Sequence, residues 1–105
     1  MPPDKLTERS PELDIKGFLL KPENYTVVDV RNPNETNAGL IFSHSITIPL
    51  PELREHISDI PTHKPIVVHC AAGYRSAAGA SIIAAKVKNV PVYDLGEAVL
   101  EVVAR

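Results

Sequence analysis

A short segment in the second half of the chain holds the residues best suited to covalent chemistry. Residues 69–76 have the sequence His-Cys-Ala-Ala-Gly-Tyr-Arg-Ser, and Cys70 is the single cysteine of the chain. Small residues follow the cysteine, so a tight loop can turn its backbone N–H groups toward one point. A following helix N-terminus and the permanent charge of Arg75 would add positive potential. The pattern therefore predicts an anion-binding loop around the Cys70 sulfur.

The expected surroundings of Cys70 favour a thiolate over a thiol. A free cysteine titrates at about 8.5, and helix N-termini and nearby arginines lower that pKa to about 3.5–7.5. We therefore expect Cys70 to be an anionic nucleophile at neutral pH. The same donors would hold a second anionic atom attached to it, such as the terminal sulfur of a persulfide. A lone cysteine at a strand end is more often a small buried hydrophobe, but the glycine and arginine that follow favour the reactive interpretation.

The residues that follow the cysteine have expected roles that depend on their types. We expect Gly73 to adopt a positive φ angle, which glycine reaches without strain. For Arg75 we expect anion binding, with a salt bridge at the helix start as the alternative. For Ser76 we expect mainly a helix N-cap role, with a ligand contact secondary.

These side chains must be positioned by the surrounding strands and helices. The runs Tyr25–Val30 and Ile66–Cys70 are nearly continuously apolar, which is typical of strands buried on both faces of a parallel sheet. A turn over residues 31–35 would follow the first run. The pattern also predicts strands over 45–48 and 90–95, and helices over about 10–20, 51–57, 76–87 and 97–104. Alternating strands and helices indicate an α/β sandwich with a mainly parallel sheet, which binds ligands at the carboxyl ends of its strands.

Two polar residues at the end of a predicted strand are candidates for supporting the site. Asp29 and Arg31 lie near the edge of the sheet that would carry the Cys70 loop. An electrostatic role for Asp29 stays open. We favour a structural pairing of Arg31 with Glu35 or with Asp29, because partly buried carboxylates usually have a partner. We expect His69 to pack in the core, since neighbouring strand residues point to opposite faces.

Composition excludes several classes of function. The chain has 105 residues, of which 44% are hydrophobic and 23% charged, and its formal net charge is −2. This length predicts one domain, which we assign to residues 10–105 after a lead-in over residues 1–9. A small negative net charge gives no excess of positive charge that would attract nucleic acid or an anionic membrane surface. No apolar run reaches the roughly 18–20 residues that a membrane span needs.

Cysteine and histidine usage bears on cofactors and on the cellular compartment. One cysteine excludes an intramolecular disulfide and argues against a cysteine-based zinc site. His44, His56 and His63 lack metal-ligand spacing, so we expect neither a metal nor another cofactor. The N-terminus lacks the apolar core of a signal peptide, and with the single cysteine this favours a reducing, cytoplasmic setting.

Taken in chain order, these motifs resemble a single rhodanese (sulfurtransferase) domain over residues 25–104. The stretches that carry the resemblance are Val28-Asp29-Val30-Arg31 with Glu35, Gly39, Ile48-Pro49-Leu50, the loop from Cys70 to Ser76, and Asp94-Leu95-Gly96. Tyr74 and the stretch 39–44 look most like rhodanese domains fused behind metallo-β-lactamase-fold persulfide dioxygenases. Leu40 and Glu97 depart from the pattern of many relatives, which have histidine and glycine there, and this bears on acceptor specificity.

The resemblance implies a three-layer α/β fold, a ping-pong reaction and a set of site residues. Cys70 would take the outer sulfur of thiosulfate or of a persulfide and pass it to a thiol or to cyanide. Carried over by position, Arg75 helps to bind the anionic donor. The backbone that cradles the transferred sulfur comes from Ala71, Ala72, Gly73, Tyr74 and Arg75. The partners are a small-molecule sulfur donor and a thiol acceptor, and the narrower likeness adds a fused or associated metallo-β-lactamase-fold domain.

Two other classes of function stay open. Cysteine-dependent phosphatases and arsenate reductases use a similar loop, with one residue more between cysteine and arginine than the four found here. The shorter loop makes a smaller ring of N–H groups, which suits a single sulfur better than a tetrahedral phosphate ester. A general acid for a leaving alcohol is not evident either. Non-catalytic docking modules of the rhodanese type often lack the cysteine, whereas Cys70, Gly73 and Arg75 are all present here.

Overall fold

The computed structural model describes residues 12–103 and shows an α/β fold. The strands are β1 (Thr26–Asp29), β2 (Ile46–Thr47), β3 (Ile66–His69) and β4 (Val92–Asp94). The α-helices are α1 (Ile15–Leu20), α2 (Pro33–Asn37), α3 (Tyr74–Lys86) and α4 (Val99–Val103). Short 3₁₀ helices span Pro22–Asn24, Leu50–Glu55, Ile57–Asp59 and Gly96–Ala98.

The four strands form one sheet in the order β2-β1-β3-β4, and every neighbouring pair is parallel. The register places Val28 opposite Ile46 on one side and Val68 on the other, and Val68 opposite Asp94. Parallel neighbours need a crossover connection, so all strands end at the same edge of the sheet. The predicted parallel α/β fold is confirmed, and the loop after β3 lies at this carboxyl edge.

The sheet separates two apolar clusters, which gives the fold its three layers. One cluster packs α3 and the 50–60 segment against the sheet; it holds Val28, Leu53, Val68 and Ile83, and Cys70 belongs to it. The other packs α1 and the chain end against the opposite face; it includes Phe18, Val27, Phe42, Val67 and Val99. Successive strand residues enter opposite clusters, as the alternation of side chains along a strand requires.

Helix α3 packs closely on the sheet because two small residues, Gly79 and Ala80, lie on its buried face. A Cβ atom added at Gly79 would lie 3.2 Å from a methyl of Val68 and 3.3 Å from one of Val30. These separations are tighter than ordinary van der Waals contact, so a larger side chain would push the helix outward. Close packing holds the start of α3 directly over the end of β3.

Several element boundaries differ from those predicted. The helix predicted over 76–87 begins at Tyr74 and ends at Lys86, because the positive φ of Gly73 turns the chain before Ser76 is reached. The segment 51–57 forms 3₁₀ rather than α-helix, with Glu52 N–H bonded to the Pro49 carbonyl. The strands are shorter than predicted at both ends, except β3, which begins at Ile66 as predicted and ends one residue earlier.

Helices near the two ends of the chain also differ. α1 begins at Ile15, where the Asp14 carboxylate accepts the Gly17 N–H at 3.2 Å; Ser10 and Pro11, the predicted start, lie outside the described residues. The helix predicted over 97–104 starts as a 3₁₀ turn, and residue 104 is likewise outside the described part. Over residues 12–103, no helix is both long and apolar enough to cross a membrane.

Candidate active site

Cys70 lies at the first position after β3, beneath the start of α3. The strand ends at His69, whose carbonyl accepts the N–H of Val30 at 3.0 Å, so the neighbouring strand holds the backbone up to the cysteine. The Cys70 side chain packs into the cluster under α3 and the residue is only 1% exposed. The sulfur is therefore fixed at the carboxyl edge of the sheet and covered by the loop that follows.

The loop after Cys70 directs backbone N–H groups at the sulfur. The N–H of Gly73 donates to Cys70 Sγ at 3.1 Å, and that of Ser76 donates at 3.3 Å. Gly73 adopts the predicted positive φ, +114°, and it is the N-cap of α3. A Cβ atom there would lie 3.0 Å from the backbone carbon of Gly96 and 3.1 Å from the nitrogen of Glu97. Both the turn and the close approach of the 96–97 backbone therefore call for glycine.

Two opposing effects act on the pKa of the Cys70 thiol. Burial raises it. Hydrogen bonds from the Ser76 hydroxyl and from the backbone N–H groups of Ala72, Gly73 and Ser76 lower it, and the net pKa lies below the ordinary value for cysteine. Donors that are already in place stabilise the charged form without the reorganisation that water would need. The pKa of the thiol shifts in the direction that the sequence pattern predicts, and an anionic Cys70 at neutral pH stays a prediction.

Ser76 has a different place from the one predicted for it. Gly73 is the N-cap of α3, and Ser76 is the third residue of that helix. Its buried hydroxyl lies 3.2 Å from the Gly73 carbonyl, to which it can donate. The N-cap prediction was therefore wrong. It assumed that the helix begins at Ser76, whereas the glycine turn starts it earlier and brings the Ser76 N–H to the sulfur.

The side chains of Tyr74 and Arg75 leave the loop in different directions. Tyr74 is 85% exposed and lies outside the ring of donors around the sulfur. Arg75 reaches across to α2, where its Nη1 and Nη2 donate to the two carboxylate oxygens of Glu35 at 2.6 and 2.9 Å. The alternative that the sequence left open for Arg75, a salt bridge, is thus present in the structure.

Glu35 is a site residue that the sequence did not reveal as such. The sequence offers it as a partner for Arg31, but its carboxylate pairs with Arg75 and accepts the Asn32 N–H at 2.9 Å. The hydrogen bonds from Arg75 and from Asn32 lower the pKa of Glu35 to about 2. The signal that could have found it is the Asn32-x-x-Glu35 capping box, which predicts a helix start at the same sheet edge as Cys70.

Asp29 and Arg31 form a buried pair beside the cysteine strand. Arg31 Nη2 donates to Asp29 Oδ2 at 2.8 Å, and Nε lies 3.0 and 3.1 Å from the two carboxylate oxygens. Nη2 also donates to the Gly39 carbonyl at 3.0 Å. Of the two partners that the sequence offered Arg31, the structure selects Asp29. The pair fixes the chain after α2 and does not touch the Cys70 sulfur.

His69 is buried on the face of the sheet opposite Cys70, as predicted. Its ring packs edge-on against Phe42 with centroids 5.0 Å apart, and its Nε2 lies 3.7 Å from Asp29 Oδ2. Burial lowers the pKa of His69 below its ordinary value, so the ring is neutral at pH 7. Its position excludes direct action on the cysteine side chain. Within residues 12–103, no group of three His, Cys, Asp or Glu side chains is arranged to hold a metal ion.

A parallel α/β sandwich with a cysteine held by backbone donors at the carboxyl edge defines the class of protein. Comparison with protein families places the chain within that class. The family model described as "Rhodanese-like domain" matches residues 17–98, most of the chain. The chain therefore belongs to the rhodanese-like domain family.

Solved structures share this fold, and one curated protein is similar in sequence over about half of the chain. A rhodanese-related protein from Thermoplasma volcanium is 34% identical, with a TM-score of 0.67 over 82% of this chain and 81% of that one. The human single-domain sulfurtransferase TSTD1 has a TM-score of 0.65 over 81% and 86% of the two chains; at 17% identity it shows the shared fold. The uncharacterized protein YqhL of Bacillus subtilis is 35% identical over 57 residues, 54% of this chain and 44% of that protein. The match thus covers less than half of the length of this relative.

Proposed function

We propose that the protein is a sulfurtransferase that carries a sulfane sulfur as a persulfide on Cys70. The observation that carries the proposal is the Cys70 sulfur, which accepts the N–H groups of Gly73 and Ser76 and has a lowered pKa. A thiolate is the form of cysteine that attacks sulfur. Membership of the rhodanese-like family and the fold shared with a human sulfurtransferase support the proposal.

The proposed cycle has two displacements at sulfur. With thiosulfate, the Cys70 thiolate bonds to the outer sulfur, the S–S bond of the donor breaks, and sulfite leaves with the electron pair. With a persulfide RSSH, the same attack releases RSH, which takes the proton of the outer sulfur. In the second displacement, cyanide or a thiolate attacks the outer sulfur of the Cys70 persulfide and the S–S bond breaks. The product is thiocyanate or a new persulfide, and the Cys70 thiolate is restored. No change of overall oxidation state is needed.

The proposal extends to the donor, the acceptor and the setting of the reaction. We propose a small-molecule donor and a thiol acceptor in a reducing cytoplasm, where thiols would take the outer sulfur and restore the Cys70 thiolate. Tyr74 and the stretch 39–44 support a persulfide as the donor, by their likeness to domains fused behind persulfide dioxygenases. From the same likeness we propose a metallo-β-lactamase-fold domain, fused or associated, as the protein partner.

The spacing of the loop favours sulfur transfer over phosphate-ester hydrolysis. Four residues separate Cys70 from Arg75, and the N–H groups of Gly73 and Ser76 both point at the cysteine sulfur itself. A tight ring of this kind fits one additional sulfur atom. Both a phosphatase and a non-catalytic docking role are tested by the same set of assays.

Mass spectrometry and turnover test the proposal together. Incubation with thiosulfate should add about 32 Da to the protein, and added cyanide should remove that mass and release thiocyanate. Cys70→Ser should abolish both, and since Cys70 is the only cysteine, the site of the adduct is unambiguous. An adduct that persists in Cys70→Ser, or hydrolysis of p-nitrophenyl phosphate without any sulfur transfer, would overturn the proposal. Binding of a protein partner without turnover would favour the docking role.

A further inference from the structure

We propose that Glu35 is a specificity-determining residue that selects against small dianionic sulfur donors. Its carboxylate occupies the guanidinium fork of Arg75, so thiosulfate reaches that fork only by displacing an internal anion. A persulfide, which presents a neutral or singly charged sulfur, does not need the fork and is not disfavoured in this way. This inference rests on the proposed sulfurtransferase function and names the donor class of that site.

The geometry of the pair shows that the fork of Arg75 is already in use. Its two terminal nitrogens each donate to one carboxylate oxygen of Glu35, at 2.6 and 2.9 Å. This two-point arrangement is the one by which a guanidinium recognises a planar or tetrahedral anion. An incoming thiosulfate would compete for the same two donors.

Glu35 is held in place by its own helix as well as by Arg75. One of its carboxylate oxygens accepts the Asn32 N–H at 2.9 Å, which closes a capping box at the start of α2. The carboxylate is therefore positioned before any donor arrives. With a pKa of about 2 it is also ionised at every pH at which a cysteine thiolate could react.

The pair lies close to the sulfur and is open to solvent. The hydrogen bonds to Glu35 raise the pKa of Arg75, and the nearby Cys70 sulfur adds to that rise through its charge. The side chains of Arg75 and Glu35 are 32% and 28% exposed. A donor approaching Cys70 thus meets a neutralised guanidinium, although the same arginine alone would attract an anion.

Glu35→Gln removes the negative charge beside Arg75 and keeps an oxygen that can accept the Asn32 N–H. A glutamine oxygen can still accept the Asn32 N–H and keep the capping box, but it gives Arg75 no negative charge. We expect the ratio of kcat/KM for thiosulfate to that for 2-hydroxyethyl persulfide, with cyanide as acceptor, to rise about tenfold to hundredfold. A rise of this size is what one additional charge-assisted hydrogen bond to thiosulfate would produce. Thermal melts of both proteins check that the fold is retained.

Two further variants distinguish occlusion of Arg75 from a general change of charge. Glu101→Gln removes the same formal charge from an exposed residue of α4, which has no part in the loop around the sulfur. It should leave the donor ratio unchanged. Arg75→Lys in the Glu35→Gln background should cancel most of the rise in the ratio, because lysine lacks the fork. A ratio in Glu35→Gln within about twofold of wild type, or an equal rise in Glu101→Gln, would overturn the proposal.

A measurement without turnover keeps this inference separate from the proposed function. Sulfate is an unreactive dianion, and its binding can be followed as protection of Cys70 from iodoacetamide. We expect about tenfold tighter protection in Glu35→Gln than in the wild type. Equal protection in the two proteins would overturn the role of Glu35, whichever donor is used. Absence of sulfur transfer in every variant, with protection still strengthened, would overturn the proposed function and leave the occlusion of Arg75 established.

Discussion

Ser76 supports the Cys70 sulfur through two different groups. Its N–H donates to the sulfur at 3.3 Å, and its hydroxyl lies 3.2 Å from the Gly73 carbonyl. Burial raises the pKa of the Cys70 thiol, and the Ser76 hydroxyl is the largest of the contributions that lower it. A serine hydroxyl rotates about its C–O bond, so we expect the Ser76 hydrogen to turn from the Gly73 carbonyl toward the sulfur when the thiol ionises.

Ser76→Ala should raise the pKa of Cys70 while the backbone donors stay in place. A hydrogen bond contributes about 0.5–1.5 kcal/mol, which corresponds to a rise of up to about one pH unit. The pH dependence of iodoacetamide alkylation measures this shift, because only the thiolate reacts. Ser81→Ala, an exposed serine on the same helix, should leave the alkylation midpoint unchanged. Identical midpoints in Ser76→Ala and wild type would show that the hydroxyl does not act on the sulfur.

Individual residues differ in how far their roles could be predicted from sequence. The placement of Cys70 at the end of a strand and the positive φ of Gly73 could be predicted from the local sequence. Both depend only on residues a few positions away. The pairing of Arg31 with Asp29 was predicted as one of two alternatives. The pairing of Arg75 with Glu35 joins residues 40 positions apart, and it depends on where α2 and α3 lie over the sheet. The capping box from Asn32 to Glu35 marks the start of α2, but no local pattern indicates that Arg75 is the partner of Glu35.

At the level of elements, the buried strands were predictable and the helix boundaries were not. β1 and β3 have four consecutive buried residues each, and continuous apolar runs indicate that environment directly. The start of α3 depends on the turn at Gly73, which competes with the serine N-cap expected three residues later. The 3₁₀ geometry of the 50–59 segment likewise lacks a simple sequence signal, because the same leucine and isoleucine spacing also fits an α-helix.

Gly73→Ala tests the turn that joins β3 to α3. An alanine there would have to adopt a φ of +114°, with its Cβ 3.0 Å from the Gly96 backbone. We expect a loss of roughly 1–3 kcal/mol in the free energy of unfolding. We also expect a rise in the pKa of Cys70, since the Gly73 N–H would shift from the sulfur. Urea unfolding and alkylation kinetics measure the two effects.

Gly96→Ala is the matched control for the Gly73 turn. Gly96 also has a positive φ, +62°, but a Cβ atom there would meet nothing within 4 Å. It should therefore show a smaller loss of stability and an unchanged Cys70 pKa. Equal behaviour of the two variants would contradict the role given to the contact between the loop and the 96–97 backbone.

For the molecule as a whole, His69 links folding stability to pH. It is completely buried, and burial lowers its pKa in the folded state, whereas the unfolded chain would protonate it near the ordinary value of 6.5. Below that pH the unfolded state binds more protons than the folded state, so stability falls as pH falls. His56 acts in the opposite direction, because its hydrogen bond to Asp59 raises its pKa in the folded state.

The free energy of unfolding should therefore decrease as the pH falls below about 6.5, with a slope of at most about 1.4 kcal/mol per pH unit from this one group. Urea titrations at several pH values measure the slope. His56→Gln should leave this slope nearly unchanged, because His56 takes up its additional proton above about pH 6.5, where the variant should lose a small gain in stability. A stability that stays flat from about pH 7.5 to about pH 5 in both proteins would show that His69 is not held neutral by the fold.

The lengths of the two outer strands bear on how copies of the chain meet. β2 has two residues and is followed closely by Pro49, and β4 has three residues directly after Pro91. A sheet recruits a further strand through the unpaired N–H and C=O groups of its border, and proline offers no N–H. Within residues 12–103, the border of this sheet thus presents only a few backbone groups on each side. Because β2 and β4 are short, most of the strand pairing lies between β1 and β3. We expect the short outer strands to disfavour the addition of a strand from a second copy of the chain.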